Sequence, residues 1–131
     1  MAITYTMGYS WASGGSTLSH SMSFSEDGSL SRDVEIPIAG TDREVVCVID
    51  TSELMVFYME ADGDLTVETN DGTTPQETFL LEADKPLVWT EDCYFPVLDL
   101  FLGDVTSIFC TNLGAEIVNF KVRALFNALV P

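Results

Sequence analysis

The sequence predicts a single all-β sandwich domain, and three observations predict it. Apolar and polar residues alternate with a period of two through much of the chain, as in strands with one buried face. The alternating runs recur at about 8–12 residues and are broken by Gly, Asp and Pro, the spacing of sandwiches and barrels. Apolar residues make up 47% of the 131, with eight Phe, four Tyr and two Trp, enough to close one hydrophobic core. No repeat, linker or shift of composition divides the chain, so residues 1–131 read as one unit.

The first run sets Ile3, Tyr5, Met7, Tyr9 and Trp11 against Thr4, Thr6, Gly8 and Ser10, and ends in a turn at Gly14 and Gly15. Leu18, His20, Met22 and Phe24 then alternate with serines, predicting a half-buried strand. Asp27 and Gly28 follow it, a pair favoured in tight hairpin turns. Val34, Ile36 and Ile38 share the next face, and Pro37, with no amide to donate, points to a sheet edge or a strand end.

Val45, Val46, Cys47, Val48 and Ile49 are continuously apolar, which predicts a strand covered on both faces. Residues 54–59 are too short a run for a helix and are rich in Val, Phe and Tyr, so they read as a strand. Residues 65–69, 78–81 and 87–89 predict shorter strands between turns at Asp62-Gly63, Asp71-Gly72 and Lys85-Pro86. Residues 91–104 are irregular yet apolar, holding Tyr94, Phe95, Leu98, Leu100 and Phe101; such a loop either tucks under the sheets or awaits a partner. Residues 105–111 and 116–127 predict a closing hairpin across residues 112–115. The result is about nine short, mostly antiparallel strands in a jelly-roll-like or immunoglobulin-like sandwich.

Charge narrows the function. Twenty-one acidic residues face five basic ones, for a formal charge of −16. Arg32, Arg43, Lys85, Lys121 and Arg123 are scattered, which disfavours binding to nucleic acid or to an anionic membrane. Such charge keeps a protein soluble and its unassembled copies apart, although a saline-adapted proteome would produce the same balance. The opening residues 1–6 lack the basic and apolar regions of a secretory leader, and no apolar run approaches the ~20 residues of a membrane helix. Synthesis in the cytoplasm is the expectation.

The residues that carry chemistry are few. His20 is the one histidine and sits beside Leu18 and Met22 on the apolar side of its strand, where a core or interface role is expected. Cys47, Cys93 and Cys110 have neither zinc-site nor disulfide-framework spacing. Glu60, Asp62 and Asp64 alternate around Gly63 in the manner of a calcium loop, but the register would need Gly and Glu where Leu65 and Asp71 stand. No nucleophile elbow, paired metal-binding histidines or phosphate loop occurs. The chain therefore reads as a binding or structural protein and not an enzyme, with no cofactor and no metal. The candidate interface comprises Tyr5, Tyr9, Trp11, Trp89, Tyr94, Phe95 and Phe101, since aromatics anchor protein partners. For Tyr5, Tyr9 and Trp11, core packing is the competing expectation. Trp11, Trp89 and Tyr94 would also serve as stacking platforms in a carbohydrate-binding module.

The stretch from Asp64 through Thr78 to Leu81, the segment from Lys85 to Trp89, the opening strand, the serine-rich second strand and the final strand together resemble small virion proteins of tailed bacteriophages. The resemblance covers most of the chain in order and pattern. It implies a β-rich structural protein of the capsid-decoration (cement) type, made in the host cytoplasm and located on the capsid surface. It further implies contact with the major capsid protein in many copies, as a homo-oligomer and often a trimer. The acidic surface suits such a place, away from packaged DNA, and many weak lattice contacts add up through avidity.

Overall fold

The computed structural model describes residues 3–26, 28–38 and 42–127. Its ten strands are β1 (Ile3–Ser13), β2 (Ser16–Glu26), β3 (Gly28–Ile36), β4 (Arg43–Ile49), β5 (Leu54–Ala61), β6 (Leu65–Thr69), β7 (Thr78–Leu81), β8 (Leu87–Thr90), β9 (Val105–Thr111) and β10 (Val118–Phe126). A 3-10 turn at Val97–Asp99 lies between β8 and β9. Every strand pair is antiparallel.

From β3 onward the chain behaves as one long ribbon folded back on itself. β6 pairs with β7 at the tip, then β5 with β8, β4 with β9, and β3 with β10 at the base. Rolling that ribbon distributes its pairs over two four-stranded sheets, β3-β10-β5-β8 and β4-β9-β6-β7. The pairings β10 with β5 and β9 with β6 stitch each sheet across its centre. This is the jelly-roll arrangement, which separates it from the immunoglobulin-like alternative. The sheets enclose Ile36, Ile49, Phe57, Met59, Leu65, Val67, Phe101, Ile108, Phe120 and Val122, all essentially without exposure.

Rolling the ribbon overturns two local hairpins that the sequence suggests. β9 and β10 are consecutive but lie in different sheets, so residues 112–117 form a sheet-to-sheet corner and not a hairpin turn. Asn112 anchors that corner while fully buried. Its Nδ2 donates to Ile36 O (3.2 Å) and Glu116 O (2.8 Å), and its Oδ1 accepts from Gly114 N (2.9 Å). Likewise β2 and β3 follow one another closely without pairing. The Asp62-Gly63 turn also crosses between sheets, and a Cβ added at Gly63 would stand 2.6 Å from Val118 Cγ2, so any larger residue there would have to displace the buried Val118 side chain.

β4 corrects a third expectation. Its burial alternates, with Val45, Cys47 and Ile49 inward while Val46 and Val48 are 61% and 63% exposed. β4 is an edge strand of a two-layer fold, so only one of its faces is covered. Burial on both sides is confined to the start of β5, an inner strand of its sheet, where residues 54–57 are all buried and, beside a bulge at Phe126, Met55 and Val56 form a second cluster with Leu125; Tyr58 and Glu60 further along are half-buried. Pro37 stands just past the end of edge strand β3, as its chemistry requires.

β1 and β2 also depart from expectation. They pair with each other from Ile3↔Glu26 to Ser13↔Ser16, across a turn in which Gly14 and Gly15 both have positive φ (55° and 87°). This is the conformation a tight two-residue hairpin demands. Among the described residues, neither strand joins either sheet, so the hairpin is an appendage to the sandwich and not part of its two layers.

Candidate interaction surface

Two regions of the surface bear on function. The first is the outer face of sheet β3-β10-β5-β8, where register aligns Asp33 with Lys121 and Lys121 with Glu60. An open trough of about 480 Å³ runs along it, lined by Asp33, Glu35, Glu60, Asp62, Asn119 and Lys121 among others. Three of its acids, Asp33, Glu60 and Asp62, are engaged by protein donors. Asp33 takes an ion pair from Arg123 Nη1 at 2.8 Å, and that bond holds its carboxyl below the usual range. Asp62 accepts from Asn119 N (2.7 Å) and Nδ2 (2.8 Å), and these bonds lower it likewise. Glu60 accepts from the Tyr58 hydroxyl at 2.8 Å, which pushes the phenol up. Asp64 accepts from Ala83 N at 2.9 Å. The alternating acids of the supposed calcium loop thus turn to separate structural tasks. Among the described residues no group of His, Cys, Asp or Glu is arranged to hold a metal ion.

The second region is the loop of residues 91–104, which connects edge strand β8 to β9. Its backbone is pinned at both ends. At the start, Trp89 Nε1 donates to Phe95 O at 2.9 Å, and Cys93 N to Thr90 O at 3.1 Å. At the end, Leu102 N donates to Glu77 Oε2 (3.1 Å) and Gln76 Nε2 to Gly103 O (3.1 Å). Asn70 Nδ2 donates to Asp104 O (2.9 Å), and Asp104 Oδ1 accepts both Thr51 N and Thr51 Oγ1 at 2.9 Å. Between these clamps the loop divides its apolar residues. Leu100 and Phe101 enter the core, where the Phe101 ring meets Phe57 edge-on at 5.2 Å and Phe79 at 6.3 Å. Tyr94, Phe95, Leu98 and Leu102 point outward, at 94%, 59%, 60% and 71% exposure.

The candidates named from sequence therefore separate. Tyr94 and Phe95 lie together at the surface, ring edge to ring face at 5.4 Å. Phe101 is a core residue, carried inward by the 3-10 turn, and no part of a surface. Trp89 is 7% exposed with its indole N–H occupied, so it supports the loop from beneath and offers no stacking face. The side chains of Tyr5, Tyr9, Trp11 and His20 lie outside the described residues. Leu98, named among the loop's apolar residues but not among the interface candidates, and Leu102, not named at all, complete the exposed set, and the apolar content of the irregular segment was their signal. Sequence reasoning missed the clamps at Glu77 and Asn70 altogether, because polar residues in a turn carry no mark of what they bind.

No protein-family model matches the chain, and no curated protein does. Among solved structures it is similar to a de novo designed double-stranded β-helix determined by solution NMR. That likeness has 12% identity and a TM-score of 0.44 over 73% of this chain and 99% of that one.

Proposed function

We propose that this protein acts by assembly and not by catalysis, as a virion structural protein of the capsid-decoration type that seats the loop of residues 91–104 on the major capsid protein. The observation that carries the reading is the outward row Tyr94, Phe95, Leu98 and Leu102, held on a backbone fixed at both ends. Several exposed apolar residues on one loop of a strongly charged protein support a docking site there. Pre-fixing the loop lowers the ordering cost of binding, and exposed aromatics such as the Tyr94–Phe95 pair are the kind of anchor that dominates an interface. The resemblance to small phage virion proteins supplies the partner, and the formal charge of −16 suits a surface turned away from packaged DNA.

Mixing the purified chain with undecorated capsids tests the reading. Saturable binding with a rise in the temperature at which the capsids open is expected. Capsids that neither bind the protein nor gain stability would sink it.

A further inference from the structure

The β1–β2 hairpin supports an inference independent of the capsid reading. Each strand has 11 residues, so the ribbon is about 35 Å long, and both of its outer edges run unpaired among the described residues. A lone two-stranded ribbon is at best marginally stable in water. The register sets Tyr5 opposite Phe24, Met7 opposite Met22, Tyr9 opposite His20 and Trp11 opposite Leu18. The intervening pairs, such as Thr6 with Ser23 and Ser10 with Ser19, are small and polar. By register, the large residues therefore make up alternate rungs of the ribbon and the small polar ones the rungs between. Leu18, on the apolar row, is 70% exposed.

Charge is distributed unevenly between ribbon and body. All 21 acidic and 5 basic residues lie from Glu26 onward, so residues 1–25 carry none. Proteins guard open sheet edges with charge, proline or very short strands. All four edges of the sandwich are guarded in this way. β3 carries Arg32, Asp33 and Glu35 and is followed by Pro37; β4 carries Arg43 and Glu44. Arg32 Nε also donates to Val46 O at 3.1 Å, tying those two edges together. β7 and β8 have 4 residues each, flanked by Glu77 and Glu82 and by Pro86 and Glu91. Apart from Glu26 at the last position of β2, the ribbon has none of these devices.

We propose that the β1–β2 hairpin is an oligomerisation arm that pairs with the same hairpin of a second copy of this chain. The guarded edges of the body exclude it as the acceptor. The neutral arm is also the one stretch through which two copies of charge −16 approach without opposing like charges. Edge-to-edge pairing of ribbons completes the open hydrogen-bonding rows and brings the large-residue rungs of two copies alongside one another.

Sedimentation and light scattering of the full chain at micromolar concentration test the proposal, with the variant Thr6→Lys/Ser10→Lys/Ser19→Lys/Ser21→Lys placing guards at exposed ribbon positions. The wild type is expected to be oligomeric and to associate more tightly as salt screens the acidic bodies. The lysine variant is expected to associate at least ~tenfold more weakly while its thermal unfolding is unchanged. Tyr5→Ser/Phe24→Ser, which removes apolar surface and adds no charge, should weaken association in the same direction. A monomeric wild type, an oligomer indifferent to both variants, or an oligomer dissolved by salt would each overturn the proposal. Capsid binding plays no part in the readout, so failure of the decoration role leaves this result separate.

Discussion

The indole N–H of Trp89 donates to the carbonyl of Phe95 at 2.9 Å, so a buried residue of edge strand β8 holds up the exposed Tyr94–Phe95 pair. Trp89→Phe keeps most of the packing and removes that bond. The expected loss is about 1 kcal/mol of unfolding free energy. Capsid binding should fall further than stability, because the loop loses its fixed shape. Denaturant midpoints read beside binding isotherms check this.

Tyr94→Ser/Leu98→Ser should do the reverse. Both side chains stand mostly in solvent, so stability is expected to change by less than about 0.5 kcal/mol. Binding to undecorated capsids should drop by roughly tenfold or more if the two residues anchor the interface. Pelleting with capsids, beside a melting curve of the free variant, separates the two effects.

Asn112→Ala should be among the most damaging polar substitutions. It leaves Ile36 O without its donor in the interior and unties Glu116 O and Gly114 N at the more exposed part of the corner, at a cost of about 1–3 kcal/mol. Asn112→Asp should not rescue it, since an ionised carboxylate cannot donate to either carbonyl. Urea unfolding of both variants gives the comparison.

Stability should fall on acidification. Asp33 and Asp62 are both held below their ordinary value of 3.8, Asp33 chiefly by Arg123 and Asp62 by Asn119. A depressed carboxyl contributes stability that is present above 3.8 and disappears as pH drops through the lower folded value. Unfolding midpoints measured from neutrality downward should therefore decline below that point. Asp62→Asn should flatten part of the decline.

Thiol chemistry should distinguish the three cysteines. Burial pushes Cys47 up to about 11 and Cys110 up to about 12, and both are fully enclosed between the sheets. A thiol-reactive dye at neutral pH is expected to label Cys93 alone in the folded protein and all three after denaturation. Labelling of Cys110 in the native state would show that the sandwich opens at β9.

Much of the fold was legible because alternation is a local property. β6, β7 and β9 run where the period of two places them, and Pro37 marks a strand end for a reason contained in the residue itself. The interface was legible only in outline. The apolar segment 91–104 announced a loop with a task, but Phe101 and Tyr94 look equally suited to a partner in sequence. One is in the core and the other 94% exposed because the 3-10 turn between them rotates the backbone.

By itself, then, the sequence determined an all-β chain of about nine short strands, where the structure has ten, together with its strongly acidic body and the uncharged stretch that precedes Glu26. Only tertiary structure decided which strands pair. The Asp27-Gly28 and 112–115 segments carry hairpin chemistry, yet β2 and β3, and β9 and β10, do not pair. A turn's sequence fixes the backbone over a few residues, whereas rolling the ribbon buries the faces of eight strands at once. The larger free energy of that burial chooses the partners.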